Sequence, residues 1–160
     1  MTDEERAKCI PDCVLVEPHT KQELGLSRNK AWPWDRWQRL VDGLKLPWVQ
    51  MGPPGTKRLE GVQFVETPRF RDTLGYLNRA ALIVTTDGAL HHAAAALDKP
   101  AVVIWGGATD PDILGYRTHR NIRADVDTCG SIKDCGHCRA AMQAVSVGMV
   151  KSEVRDLSER

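Results

Sequence analysis

The sequence predicts an α/β protein built on a single doubly wound parallel sheet. Short apolar runs of strand length, such as Ala81–Val84 and Ala101–Trp105, alternate with helical patterns such as Ala89–Leu97. Both of these runs end in polar, glycine-containing turns, at 85–88 and 106–111. Strands that alternate with helices form parallel sheets, and such sheets bind ligands at the carboxyl ends of their strands. The two turns therefore indicate a binding edge.

The elements before this passage fit the same alternation. Apolar residues at Trp37, Leu40, Val41 and Leu44 have the spacing of one helical face and predict an amphipathic helix over 34–45. The sequence predicts strands over 13–17, 47–51 and 62–65, and a helix over 70–79. Bulky packing at the entry to the first helix, or stacking on a ligand or partner, would each account for the tryptophan cluster at 32–37.

The chain after Pro111 adds one edge strand, a loop and two helices. The strand is expected over 121–124, the loop, which carries cysteines, over 127–138, and the helices over 139–144 and 147–157. No linker or repeat interrupts this order, so residues 1–160 are expected to form one domain with a core over about 13–150.

Composition excludes several classes of protein. The chain has 160 residues, 42% hydrophobic and 27% charged, and its formal net charge is +1. Such a balance gives no electrostatic reason to expect nucleic acid as a partner. No apolar run is long enough to form a transmembrane segment, and the charged start MTDEERAKC does not resemble a signal peptide. We therefore expect a cytoplasmic location, with which the odd count of five cysteines agrees.

The turn between the fourth strand and its helix carries the chemistry of an anion site. A helix that begins near Gly88 would direct its free N–H groups and its dipole toward phosphate oxygens. Asp87 would either cap that helix or face the ligand. His92, the one large polar group among flanking alanines, is the better candidate for contact with a phosphate or leaving group, and His91 must point elsewhere.

Two other segments would reach the same edge. Gly106 and Gly107 begin a turn whose successive N–H groups could form an anion nest. Thr20 and Lys30, in the segment after the first strand, would add a hydroxyl donor and a point charge suited to a diphosphate. The Walker sequence of P-loop NTPases is missing, and so is a GxGxxG sequence after the first strand, which disfavours both of those nucleotide sites.

Taken together, these segments resemble glycosyltransferase family 9, the ADP-heptose:lipopolysaccharide heptosyltransferases and their relatives. The resemblance lies in Lys30-x-Trp32-Pro33, Asp87–Ala95, Lys99-Pro100 and the turn from Gly106 to Pro111. It implies the Rossmann-like C-terminal half of a GT-B enzyme, the half that binds the nucleotide sugar. It also implies inverting transfer without a bound metal, and an acceptor domain, expected to be absent from this chain, that supplies the catalytic base.

The same resemblance implies roles for individual residues. Thr20 and Lys30 would contact the diphosphate, and Asp87, Gly88, Ala89 and His92 would lie close to the phosphates and the sugar. Residues 67–70 would lie near the base. Gly88 and Ala89 depart from the Thr and Gly that the family usually has in this turn. No residue of the chain is a convincing catalytic base, so the resemblance assigns Lys30 and His92 only to stabilising the leaving group.

The cysteines of the loop leave three alternatives open. Cys129, Cys135 and Cys138 have a spacing compatible with a structural zinc site, which Cys9 or Cys13 could complete. Free thiols and a disulfide are the other two interpretations. His137 stands between two of the candidate ligands and is poorly placed to act as a third.

The sequence thus favours a glycosyltransferase-type domain that binds a nucleotide-diphosphate sugar, ADP-heptose-like, for inverting transfer. Its expected partners are that donor and either an acceptor-domain protein or a second copy of the chain. A non-catalytic module that keeps the nucleotide pocket is the alternative from another class, and a small nucleotide-sugar hydrolase or epimerase is less favoured.

Overall fold

The computed structural model describes residues 12–19 and 28–159. It shows six parallel strands in one sheet: β1 (Val14–Glu17), β2 (Trp48–Gly52), β3 (Gln63–Glu66), β4 (Leu82–Thr86), β5 (Ala101–Trp105) and β6 (Arg120–Arg123). The helices of the described chain are α1 (Trp34–Asp42), α2 (Phe70–Arg79), α3 (Ala89–Ala96), α4 (Pro111–Leu114), α5 (Gly136–Ala144) and α6 (Val147–Ser158). The predicted α/β class is confirmed.

The strand order, β3-β2-β1-β4-β5-β6, is that of a doubly wound sheet. The chain moves outward from β1 through β2 to β3, and then returns to pair β4 on the other side of β1. Connections on the two sides of β1 and β4 therefore run in opposite directions, which opens a crevice above the carboxyl ends of these two strands.

Alternation along the strands produces two cores. Val14, Val16 and Val84 face α1 and α6, whereas Leu15 and Ile83 face the other side with the apolar residues of α2 and α3. Because both faces of the sheet are covered, the strands are apolar on both sides and appear in the sequence as continuous apolar runs.

The tryptophans at the entry to α1 serve mainly to pack it. Trp32 and Trp37 are buried and meet edge to face, with their ring centroids 5.0 Å apart. The Trp32 indole donates to the Val145 carbonyl at 2.9 Å, which ties α1 to the turn between α5 and α6. The packing interpretation therefore accounts for these two rings.

Differences from the predicted elements are confined to the ends of strands, by one or two residues, to the ends of helices and to one short addition. The α1 helix ends at Asp42 instead of residue 45, and α5 begins at Gly136, three residues before the predicted start. The short α4 helix was not predicted; the Asp110 carboxylate accepts from the Asp112 N–H at 2.9 Å and so caps its first turn. Within the described residues, no helix is long and apolar enough to cross a membrane.

Candidate functional site

A cleft of about 800 Å³ opens at the carboxyl edge of the sheet. The turn after β4 and the start of α3 form one wall, from Thr85 to Leu90, and Glu17, His19 and Lys30 form another. The ends of β2 and β3 close the third side with Pro53, Thr67 and Phe70, among others. The cleft therefore lies over β1 and β4, where a doubly wound sheet binds its ligands.

Asp87 is the charged centre of this cleft. Its Oδ2 lies 2.5 Å from the Lys30 ammonium nitrogen and accepts a hydrogen bond from the Thr109 hydroxyl, also at 2.5 Å. The Asp87 side chain is only 4% exposed, and that of Lys30 is 16% exposed. A carboxylate with so little water around it needs such partners, since an unpaired buried charge is costly. Asp87 thus holds Lys30 at the cleft wall.

The start of α3 borders the cleft at Gly88 and Ala89. The Gly88 N–H donates to Nδ1 of His91 at 3.0 Å, so a histidine side chain satisfies the group just before the first turn. A Cβ on Gly88 would meet only the Thr86 carbonyl, at 3.9 Å, so this glycine is not required by packing. The free N–H groups and positive dipole end of the following turn are suited to an anion.

The two adjacent histidines have different environments. His91 is fully buried; its Nδ1 accepts from Gly88, so its Nε2 carries the proton and lies 3.4 Å from the Leu114 carbonyl. Burial, with the neighbouring His92 charge, lowers the pKa of His91 and keeps the ring neutral. His92 is exposed, and its Nδ1 lies 2.9 Å from the Tyr116 hydroxyl.

Glu17 contributes a second carboxyl group to the cleft. Its Oε1 accepts from the His19 backbone N–H at 2.9 Å. Burial raises the pKa of Glu17 to about 8, and this hydrogen bond offsets only part of the effect. Glu17 therefore carries a proton at neutral pH, which removes a negative charge that would oppose an anionic ligand.

Comparison with known proteins agrees with this geometry. Residues 69–146 match the sequence profile described as glycosyltransferase family 9 (heptosyltransferase). The chain carries a glycosyltransferase family 9 segment. This segment includes the turn after β4, the α3 helix and the glycine turn after β5, whereas Glu17 and Lys30 precede it.

The chain is also similar to individual members of the family. Lipopolysaccharide heptosyltransferase 1 of Escherichia coli strain K12 is 35% identical over 102 residues, which are 54% of this chain and 31% of that protein. The chain thus spans about a third of the length of this relative.

Solved structures show the same fold. E. coli ADP-heptose lipopolysaccharide heptosyltransferase II superposes with a TM-score of 0.72 at 18% identity, over 99% of this chain and 52% of that one. E. coli heptosyltransferase WaaC with ADP-2-deoxy-2-fluoro heptose gives 0.70 at 20% identity, over 96% and 47%. The six-stranded sheet around the family 9 segment is therefore of the kind found in GT-B glycosyltransferases.

Several residues predicted from the sequence meet in the cleft. Lys30, Asp87, Gly88 and Ala89 all line it, as expected for one anion site. Thr67, Pro68 and Phe70, expected near a base, line its far side. Thr20 lies outside the described residues. The structure does not place His92 among the residues lining the cleft, because the ring turns toward Tyr116.

The glycines after β5 lie away from the cleft. A Cβ on Gly106 would approach Met142 Cγ to 2.7 Å and the Asn29 carbonyl to 2.9 Å. At Gly107 a Cβ would come within 2.9 Å of His137 Nε2. The close approach of α5 therefore gives a packing reason for both glycines. The structure does not place them among the residues that line the cleft, where the sequence predicted an anion nest.

Sequence reasoning missed three side chains that shape the site. Glu17 and Thr109 follow or end strands at the carboxyl edge, a position that could have identified them, but neither forms a motif. Tyr116, the partner of His92, lies 24 residues further along the chain, and no sequence pattern indicates that contact.

Proposed function

We propose that this chain binds a nucleotide-diphosphate sugar, of the ADP-heptose type, as the donor domain of an inverting glycosyltransferase. The observation that carries the proposal is the pairing of Lys30 with Asp87 beside the start of α3, at the crevice between β1 and β4. Support also comes from the family 9 match and from the ADP-sugar named with the similar WaaC structure.

The donor's diphosphate would lie between the Lys30 ammonium and the first turn of α3. Lys30 supplies a full positive charge and the helix supplies N–H donors, so both stabilise the negative charge that grows on the departing diphosphate. Thr20 and His92 are further candidates for this role. No resident metal is required for the chemistry in this arrangement, because these groups provide the electrostatic stabilisation themselves.

Inverting transfer also needs a base that takes the proton of the acceptor hydroxyl on the opposite face of the sugar. Among the described residues, two carboxyl groups line the cleft: Asp87 is held by Lys30 and Thr109, and Glu17 is protonated. We infer that the base comes from an acceptor domain or partner facing this cleft, either another protein or a second copy of this chain. A non-catalytic nucleotide-sugar-binding module is the alternative that the same observation favours.

Calorimetric titration with ADP, GDP, UDP and their sugars tests the proposal. We expect ADP and its sugar to bind, and Lys30→Ala to weaken both by roughly tenfold, the share of a charged contact. The matched control is Lys45→Ala, an exposed lysine outside the cleft. If no nucleotide binds the wild-type chain, the proposal is wrong.

A second measurement separates transfer from simple binding. The chain is mixed with ADP-heptose and candidate hydroxyl acceptors, and the release of ADP is followed. Release that depends on the acceptor indicates a transferase donor domain. Binding without release, with and without added acceptor-domain protein, indicates the module.

A further inference from the structure

Three cysteines converge on the side of α5, apart from the residues that line the cleft. The sulfur atoms of Cys129, Cys135 and Cys138 all lie within 4.8 Å of one another. Two of them, those of Cys129 and Cys138, are 3.0 Å apart. Cys135 precedes the first residue of α5, Cys138 lies in its first turn, and Cys129 comes from the loop after β6.

We propose that these three cysteines bind one thiophilic divalent ion, zinc or ferrous iron, and that this ion fixes the loop that positions Lys30. The second half of the proposal rests on the donor-binding function proposed above. The first half concerns the metal alone and stands without it.

The sulfur geometry fits a tetrahedral ion. Zinc–sulfur bonds of roughly 2.3 Å at tetrahedral angles separate the sulfurs by roughly 3.8 Å. The cluster already lies within 4.8 Å, and the 3.0 Å pair needs to open only by a fraction of an ångström. Cys129 is exposed and Cys135 half-buried, so water can reach a fourth ligand position.

The three thiols are the ligands that this cluster offers, because the nearby His137 ring has another partner. On binding the ion, the three thiols release their protons to solvent. The His137 Nε2 donates to the Asp127 carbonyl at 2.8 Å, so the ring is engaged elsewhere.

One buried side chain connects this loop to the cleft. Asn29 is fully buried, and its amide nitrogen donates to the carbonyls of Ser131 at 3.1 Å and Lys133 at 2.8 Å. Its Oδ1 accepts from the Cys135 N–H at 2.8 Å. The next residue is Lys30, whose ammonium contacts Asp87 in the cleft.

The cysteine loop holds the side chain of Asn29, the residue that directly precedes Lys30. Its three hydrogen bonds to Asn29 exist only while residues 131–135 keep this conformation, and the loop itself is largely exposed. A metal that joins Cys129 to both cysteines of α5 closes the loop at its two ends, which lowers the entropy of the open state. Asn29 is therefore a positioning residue that transmits this order to Lys30.

Cobalt titration tests the metal site without any nucleotide. The full chain is stripped of metal under reducing conditions and titrated with Co²⁺, which gives a thiolate-to-cobalt charge-transfer absorption. We expect one equivalent of Co²⁺ to bind. The variant Cys129→Ser, at an exposed position, should weaken cobalt binding by roughly tenfold or more. The absence of the band, or an unchanged titration in Cys129→Ser, overturns the site.

Elemental analysis of the purified chain then distinguishes the two candidate ions. Zinc or iron at about one per chain, lost in Cys129→Ser, identifies the resident metal. Thermal unfolding adds a second readout, because an ion bound only by the folded state raises the midpoint. We expect Zn²⁺ to raise it in the wild type and not in Cys129→Ser.

The link to the cleft is tested with ADP and the Asn29→Ala variant. The zinc-loaded wild type should bind ADP several-fold more tightly than the stripped protein. Asn29→Ala should still bind cobalt, but its affinity for ADP should no longer depend on metal. An equal ADP affinity of the loaded and stripped wild type overturns the link. Cobalt binding with no ADP binding in either form would refute the donor function and leave the metal site intact.

Discussion

The Lys30 ammonium nitrogen lies 2.5 Å from Asp87 Oδ2, and this contact joins the segment before α1 to the turn after β4. Those two segments follow β1 and β4, which are neighbours in the sheet. The pair therefore ties together two loops that line the cleft and places both a positive and a negative group in its wall. Lys30 would contact both Asp87 and a diphosphate bound there, and the Asp87 carboxylate would hold the lysine side chain in position for that contact.

Removing one member of this pair should cost stability as well as binding. Lys30→Ala leaves the Asp87 carboxylate nearly buried and without its lysine partner, although it still accepts from the Thr109 hydroxyl. We expect the free energy of unfolding to fall by about 1–3 kcal/mol, less than for a fully buried pair because Lys30 is partly exposed. Urea denaturation of the variant beside Lys45→Ala measures this.

The double variant Lys30→Ala/Asp87→Asn provides the control. Asparagine leaves no unpaired buried charge, so the double variant should recover part of the free energy of unfolding that Lys30→Ala loses. If it is less stable than Lys30→Ala, the cost arises from packing and the ion pair is not its source.

Glu17 should make the protein less stable as the pH rises. Its pKa is raised from 4.5 to about 8 in the folded chain, so between these values the folded state holds a proton that the unfolded state has lost. The free energy of unfolding therefore falls as the pH increases through this window. Below the window Glu17 is protonated in both states and contributes no pH dependence. Glu17→Gln, which stays neutral, should gain on the order of 1–3 kcal/mol over the wild type at pH 8.

Unfolding curves collected from pH 4 to pH 8, roughly the window that this linkage defines, measure the effect. The two proteins should be most alike at the acid end. A wild-type curve that runs parallel to that of Glu17→Gln over the whole window would show that Glu17 is ionised in the fold.

Variants of His91 and His92 should behave differently, because we expect a structural role for His91 and a ligand role for His92. His91→Ala leaves a cavity and removes the acceptor of the Gly88 N–H, so we expect a loss of about 2–4 kcal/mol. His92→Ala removes an exposed ring and should change stability by less than about 1 kcal/mol.

Nucleotide-sugar titration of His92→Ala completes this test. If His92 contacts the donor, the affinity of the variant for the nucleotide sugar falls, while its unfolding midpoint stays near that of the wild type. Unchanged affinity in this stable variant would restrict the anion site to Lys30 and the start of α3.

Gly106 and Gly88 should respond in opposite ways to an added methyl group. Gly106→Ala would place a Cβ 2.7 Å from Met142 and 2.9 Å from the Asn29 carbonyl, so we expect a loss of about 1–3 kcal/mol from overpacking. Gly88→Ala has open space and should leave stability nearly unchanged. Its methyl group would border the cleft, so donor affinity should fall instead. Calorimetry and unfolding of both variants measure the two effects, and equal stability losses would contradict the packing argument.

The sequence by itself determined the sheet and the edge of it at which the proposed anion site lies. Continuous apolar runs fixed β4 and β5, and helical spacing located α1 and α2, because these patterns reflect local periodicity and burial on both faces. The turn at Asp87 and Gly88 was found in the same way, since every strand of a parallel sheet ends at one edge. The ends of helices do not follow from local pattern alone, because the residue before a helix, such as Cys135, is held by contacts from other segments.

Only the tertiary structure decided which side chains meet. The Lys30–Asp87 pair, the Thr109 hydrogen bond and the contacts of Asn29 with the cysteine loop all join segments that are distant in the chain. The sequence favoured His92 as the ligand and grouped Gly106 and Gly107 with the cleft, whereas the structure turns His92 toward Tyr116 and places the glycines under α5. Local patterns record whether a residue is apolar and how it repeats; the direction of a side chain and the protonation of Glu17 follow from what the folded chain packs around them.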